Sequence, residues 1–260
     1  MIATVDAEGI GTLELTYTER GAGVPVLLLH GGAGPISVAP WGELLARTYP
    51  VRVITPTHPG FAGTARPAAL ASIGAVARVY AAFLDGLGLE GVRVVGNSVG
   101  GWIAAELALA APHRVARLVI IDAAGLDVPG HAVADVFSMP IDEISRRSYH
   151  DPARFRIDPS KLTPELKAGL AANMATLKVL SGNMTDPTLG PRLSRLRLPT
   201  MVLWGESDGI MDPEFGHAYA RAIPGATFHL VRGAGHLPQV ETPEALAELA
   251  GPFLAERGSA

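Results

Sequence analysis

Four short stretches of this chain carry residue types that could perform acyl transfer. The first is Gly96-Asn97-Ser98-Val99-Gly100. A G-x-S-x-G pattern sets a serine on a sharp turn between a strand and a helix, with its hydroxyl exposed at the strand's end. The flanking glycines remove side chains that would crowd such a turn. A serine hydroxyl is a poor nucleophile until a base takes its proton. The second stretch, Gly233-Ala234-Gly235-His236-Leu237-Pro238, offers His236 for that task on a glycine-rich loop. The third, Leu203-Trp204-Gly205-Glu206-Ser207-Asp208, ends in a carboxylate that can accept the other ring N–H, fix the tautomer and stabilise the imidazolium. Glu206, two residues away, and Asp122, at the end of the run Leu118 to Ile121, compete for this role, and position favours Asp208. The fourth, His30-Gly31-Gly32-Ala33-Gly34-Pro35, leaves backbone N–H groups bare. An oxyanion needs two such donors, and the N–H groups of Gly32 and Val99 are the candidates.

Each stretch also has a plainer reading. The serine pattern could be a structural turn, or a phosphate loop of a dinucleotide-binding unit. Such a loop normally opens the first strand–helix–strand unit, with an acid about 20 residues on. This one lies mid-chain, although Asp122 stands at roughly that distance. His236 could simply hold its loop, Asp208 could cap its own turn, and the glycine loop could merely require positive φ. His30 and His58 read as structural hydrogen-bonding residues. What favours the joint reading is order: glycine loop, Ser98, Asp208 and His236 each follow an apolar run.

Those runs are the elements that must position the four stretches. Val26 to Leu29, Val51 to Ile54, Val92 to Val95, Leu118 to Ile121 and Met201 to Trp204 fit strands buried on both faces, and Phe228 to Val231 is a weaker strand broken by His229. Ala39–Arg47, Leu70–Leu87, Val99–Ala111, Pro213–Ala222 and Pro243–Ala255 fit the intervening helices. Leu13, Leu15 and Tyr17 alternate with polar residues, which predicts a half-solvated edge strand. Strand alternating with helix gives an α/β protein with a mostly parallel sheet covered on both faces. The rhythm breaks from Gly125 to Leu196. There Thr163-Pro164 opens a helix, and Leu166, Leu170, Met174, Leu177 and Leu180 trace one apolar stripe. Taken alone, that stripe reads as a plain core-facing helix. The expected organisation is a core of residues 1–124 and 197–260 interrupted by a helical insertion over 125–196. The tail Arg257 to Ala260 is expected to fray.

Composition narrows the function classes. The 260 residues carry a net charge of −4, which supplies no basic field for nucleic acid or an anionic membrane. With no cysteine, disulfides, thiolate catalysis and Cys-ligated metals are excluded, and a reducing cytoplasm fits. No His/Asp/Glu spacing suggests a metal site, so no metal or cofactor is expected. No basic–apolar leader opens the chain, and no run reaches the roughly 18 apolar residues of a membrane span. The expected partner is a small-molecule substrate.

The chain order Ser98, Asp208, His236, with the glycine loop first, resembles the lidded α/β-hydrolases, from about Leu13 to the C-terminus. Pro59-Gly60-Phe61-Ala62-Gly63 resembles that family's Pro-Gly-Phe-Gly loop, with Ala62 as an extra residue. The resemblance implies Ser98 as nucleophile, His236 as base, Asp208 as its orienting acid, Gly32 and Val99 as oxyanion donors, and the insertion as a cap. His30-Gly31-Gly32-Ala33-Gly34-Pro35 and Gly96-Asn97-Ser98-Val99-Gly100-Gly101 further resemble hydrolases that split a carbon–carbon bond in ring-fission products of aromatic catabolism. Those enzymes usually carry Trp after the histidine, where this chain has Leu237, and an arginine near the substrate carboxylate, for which Arg154, Arg156 and Lys178 are candidates. An esterase is the first reading and a carbon–carbon hydrolase the second. A lyase or small-molecule receptor on the same fold is the third.

Overall fold

The computed structural model describes residues 1–256, and the expected fraying at Arg257 to Ala260 lies outside them. Its strands are β1 (Ile2–Ala7), β2 (Gly11–Gly21), β3 (Val24–Leu29), β4 (Val51–Pro56), β5 (Val92–Asn97), β6 (Val115–Ile121), β7 (Thr200–Gly205) and β8 (Thr227–Val231). They form one eight-stranded sheet in the order β1-β2-β4-β3-β5-β6-β7-β8. Pairing is parallel from β4 through β3, β5, β6 and β7 to β8, while β1–β2 and β2–β4 are antiparallel. Every residue of central β5 is buried, as expected of a strand covered on both faces.

Leu13, Leu15 and Tyr17 of β2 do alternate buried against exposed neighbours. The strand is not an edge, however, because β1 pairs along its outer side. Gly9, at φ +73°, lets the chain fold back between them.

The helices are α1 (Ala39–Thr48), α2 (Ile73–Gly86), α3 (Val99–Ala110), α4 (Ile141–Ser148), α5 (Pro152–Phe155), α6 (Pro164–Ser181), α7 (Leu189–Leu193), α8 (Pro213–Ala222), α9 (Pro238–Glu241) and α10 (Pro243–Ala255). Two apolar layers sandwich the sheet. One gathers Tyr80 and Phe83 of α2, Ile103 and Leu107 of α3, and Phe215 and Tyr219 of α8. The other gathers Trp41 and Leu45 of α1 with Leu246 and Leu254 of α10. Helix α3 is buried nearly all round, so its Glu106 needs a partner. Arg192 of α7 supplies one, gripping both carboxylate oxygens at 2.6 and 2.7 Å.

Between β6 and β7 the chain forms α4 to α7. The excursion closes on itself where Gly125 pairs with Thr185. Thr163 caps α6 by accepting from the Leu166 N–H at 3.3 Å. Of the apolar stripe on α6, Leu177 and Leu180 are buried, Leu170 and Met174 are half-buried, and Leu166 is 56% exposed. A helix that merely faced the core would bury all five. Here the stripe runs out over open space. Two polar residues of α6 anchor it to the loop after β4. The Ala62 N–H donates to Asn173 at 2.9 Å, and Thr176 donates to the Gly60 carbonyl at 2.9 Å.

Candidate active site

Ser98 sits between β5 and α3 with φ +57° and ψ −125°, a conformation L-residues rarely adopt. A side chain at Gly96 would collide with the carbonyl of Gly100, and one at Gly100 with the carbonyl of Leu29. The two glycines therefore let the turn close and the strand ends pack. The Ser98 N–H is tied to the Ile121 carbonyl at 2.9 Å, which locks the Ser98 turn to the end of β6.

His236 is brought across the strand ends by the loop after β8. Its Nε2 lies 2.9 Å from Ser98 Oγ, and its Nδ1 lies 2.8 Å from Asp208 Oδ2. Asp208 is held in turn, because its Oδ1 accepts from the N–H groups of Ile210 at 2.8 Å and Met211 at 3.0 Å. All three side chains are buried. The structure thus joins Ser98, His236 and Asp208 in one hydrogen-bonded line. A proton can pass from Ser98 to His236 while Asp208 fixes the ring. Glu206 points elsewhere and accepts from the Gly233 N–H at 2.8 Å.

Asp122 is nearer. It continues β6 as Asp208 continues β7, and these strands are neighbours. Carboxyl oxygens of both aspartates and a ring nitrogen of His236 lie within 4.8 Å of one another. Both ring nitrogens of His236 already have partners, so the cluster offers an incoming cation no free imidazole.

Val99 follows Ser98 directly, Gly32 borders the same cavity as Ser98, and among the described residues no protein group accepts either backbone N–H. The glycine loop is held by a network that sequence reading marked only as structural histidines. His30 and His58 are fully buried and stack with ring centroids 3.7 Å apart. The His58 N–H donates to His30 Nε2 at 3.0 Å, His58 Nε2 donates to the His30 carbonyl at 2.8 Å, and Tyr80 bonds His58 Nδ1. His30 Nδ1 donates to the Gly31 carbonyl at 2.7 Å. Every ring nitrogen is satisfied with both rings neutral. Burial lowers His58 from the ordinary 6.5 to about 4, and burial with the neighbouring His58 lowers His30 well below its ordinary range.

A second group of positioning residues escaped the sequence reading. Asn97 donates to the His236 carbonyl at 3.1 Å, and Gln239 donates to Asn97 Oδ1 at 3.1 Å. Glu241 accepts from the N–H of Gly235 at 2.6 Å and from those of His150 and Asp151, each at 3.0 Å. The end of α4 joins in through main chain alone. The Arg147 carbonyl accepts from the Gly209 N–H at 2.9 Å, and the Ser148 carbonyl from the His236 N–H at 2.8 Å. The only available signal was spacing, since Gln239 and Glu241 follow His236 by three and five positions.

A cavity of about 640 Å³ opens over Ser98. Ile144, Ile157, Leu162, Leu170, Met174 and Leu237 are among its walls, and most of them come from the segment between β6 and β7. Two cations border it, Lys167 and Lys178. Arg154 instead stacks on Phe155 and Arg156 pairs with Asp142.

Residues 26–249 match the alpha/beta hydrolase family. The chain belongs to that family. This α/β hydrolase is 30% identical to the 2-hydroxy-6-oxo-6-phenylhexa-2,4-dienoate hydrolase of Burkholderia cepacia, covering 97% of this chain and 95% of that protein. It is likewise 30% identical to the 2-hydroxy-6-oxononadienedioate/2-hydroxy-6-oxononatrienedioate hydrolase of Paraburkholderia phymatum, covering 96% and 93%. Among solved structures it resembles an esterase from Thermogutta terrifontis at a TM-score of 0.80 and 28% identity, covering 98% of each chain. The relatives are named hydrolases, and hydrolysis is the reaction class of this enzyme. Among the described residues no helix is long and apolar enough to cross a membrane.

Proposed function

We propose that this hydrolase works through Ser98 as nucleophile and that it splits the carbon–carbon bond beside the ketone of a 2-hydroxy-6-oxodienoate. The observation that carries the serine mechanism is the line Ser98–His236–Asp208, at 2.9 and 2.8 Å, on the floor of an apolar cavity. His236 takes the Ser98 proton as Oγ attacks the carbonyl carbon. The N–H groups of Gly32 and Val99 receive the developing oxyanion. The bond to the departing carbon then breaks, His236 returns a proton to it, and water releases the acyl group by the same steps. A departing carbon must accommodate an electron pair. In a 2-hydroxy-6-oxodienoate the pair delocalises along the chain to the 2-oxo group once the enol has ketonised.

The choice of bond rests on the names of the two 30% identical relatives, which favour carbon–carbon cleavage over the ester reading of the sequence. Lys178 supports it as the cation for the substrate carboxylate. It borders the cavity, where Arg154 and Arg156 do not, and its Nζ sits 4.4 Å from the centre of the Phe137 ring. The apolar walls suit a phenyl-bearing tail. Residues 125–196 act as a cap that supplies those walls and limits water at Ser98.

Carboxylic ester hydrolysis is the second reading. The 28% identical esterase favours it, as does Leu237 in an apolar wall that asks for no charged substrate. The test runs 2-hydroxy-6-oxo-6-phenylhexa-2,4-dienoate beside a series of p-nitrophenyl esters, with wild type, Ser98→Ala and Lys178→Met. The primary reading expects faster turnover of the dienoate, abolished in Ser98→Ala, and a KM raised by Lys178→Met for the dienoate but not for neutral esters. Turnover of esters alone, insensitive to Lys178, establishes the second reading. Full activity in Ser98→Ala overturns both.

A further inference from the structure

We infer that Asp122 is a latent second acid of this site, neutral while Asp208 carries the charge and able to take over His236 when Asp208 is neutralised. The inference rests on the serine-hydrolase reading of the Ser98–His236 pair.

Three observations lead to it. First, topology forces the juxtaposition. Asp122 follows β6 and Asp208 follows β7, adjacent parallel strands whose ends lie in register from Ile121 to Leu203. Asp122 is fixed there, since its N–H donates to the Leu203 carbonyl at 3.1 Å and its φ is +45°. That backbone conformation costs energy in a non-glycine residue.

Second, the two carboxyls are unequally served. Asp208 accepts three N–H groups, from Ile210, Met211 and His236. Asp122 is fully buried and accepts one, from Gly205 at 2.8 Å. Its Oδ2 has no hydrogen-bond partner among the described residues. A buried carboxylate with an empty oxygen is costly, whereas protonation turns Oδ2 into a donor for the neighbouring Asp208 carboxylate.

Third, two carboxyls this close in a buried site do not both ionise. Burial first, then the Asp208 charge, raise Asp122 well above the ordinary aspartate range, and Glu241 adds to the same direction. The groups facing it are thus Asp208, Glu241 and His236. The negative charge belongs on Asp208 and the proton on Asp122 Oδ2. Neutralising Asp208 removes the main charge opposing ionisation of Asp122, and the one remaining carboxylate lies within 4.8 Å of the imidazole.

The test is a double-mutant cycle with Asp208→Asn, Asp122→Asn and the pair, each checked by melting temperature. Turnover is read on p-nitrophenyl butyrate or the dienoate, whichever wild type accepts. Loss of the orienting acid in a well-studied triad costs about 10⁴ in turnover. The inference expects Asp208→Asn to fall only about 10²-fold, because Asp122 substitutes, and the double variant to fall to roughly the full 10⁴. Asp122→Asn alone should cost less than tenfold, since asparagine can accept from Gly205 and donate to Asp208. In Asp208→Asn the residual rate should climb with pH as Asp122 ionises, and this limb should vanish in the double variant. A downfield NMR resonance of the His236 Nδ1 proton should persist in Asp208→Asn and disappear in the double variant. That last readout needs no substrate, so it separates failure of this inference from failure of the serine-hydrolase reading. Equal rates and equal spectra in Asp208→Asn with and without Asp122 would overturn it.

Discussion

Replacing Glu241 probes how His236 is held. Its carboxylate accepts three backbone N–H groups, one from the residue before His236 and two from the start of α5. Glu241→Gln keeps one oxygen and turns the other into an amide donor facing an N–H. One hydrogen bond to a charged acceptor is lost, worth about 1.5–3 kcal/mol in general. Two of the three donors are solvent-exposed, which points to the low end, about 1.5 kcal/mol. For a chain of this size each kcal/mol moves the melting temperature by about 2–4 °C, so a drop of roughly 3–6 °C follows. Glu241→Ala removes all three bonds and should lose about three times as much. A catalytic group displaced by about 1 Å can cost roughly 10²-fold. The Gln variant should therefore lose about tenfold in kcat and the Ala variant up to about a hundredfold, with KM nearly unchanged because the cavity wall is elsewhere. Thermal melts and steady-state kinetics read both quantities. A lowered melting temperature with kcat intact would show that Glu241 braces the fold but not His236, and no change in either would refute the reasoning.

Three further outcomes are expected. A serine-directed fluorophosphonate should add one adduct, at Ser98 by peptide mass spectrometry, and none in Ser98→Ala. Acid should weaken the fold through the glycine-loop histidines. His58 is neutral in the folded state down to about pH 4, while the unfolded chain binds its proton near 6.5. Its stabilisation is thus full above 6.5 and lost as pH falls toward 4, by up to about 3 kcal/mol. Asp122 works in the opposite sense, being protonated folded and ionised unfolded, so His58→Gln against wild type isolates the histidine. The variant should show a flatter fall in urea midpoint between pH 7 and 4, and an unchanged slope would contradict it. Finally, Leu170→Ala and Met174→Ala should shift substrate-length preference at near-constant melting temperature, because these half-buried side chains line an existing cavity rather than a closed core. Changes in stability alone would make the cap scaffold only.

Legibility in the sequence followed burial. The runs that became β3 to β7 are apolar because both faces are covered, so their composition announces them. β1 gave no comparable signal, since an edge strand with one exposed face needs only Val5 and Ala7 to be buried. Glu106 finds its partner Arg192 only across a long distance in sequence, so no local pattern announces the pair. Ser98, Asp208 and His236 could be found because each follows an apolar run at a glycine-marked turn. The supports around them could not. Ser148 and Arg147 act through backbone carbonyls, which every residue possesses, and the Glu241 carboxylate accepts backbone N–H groups, which carry no side-chain signal. The closeness of Asp122 to Asp208 depends on β6 lying beside β7, a fact of strand order that no local pattern carries.

The attachment of α4 to the site has a consequence for how such an enzyme diversifies. Gly209 and His236 each donate a backbone N–H to a carbonyl at the end of α4, one beside Asp208 and the other at His236 itself. A peptide carbonyl is the same in every amino acid. Mutation can therefore change the side chains that this segment lends to the cavity while the joint registering it against His236 and Asp208 stays intact. A proline replacing Gly209 would delete a joint by removing its N–H. Libraries built on this scaffold should therefore randomise the walls freely and leave the backbone path through residues 147–148, 209 and 236 untouched.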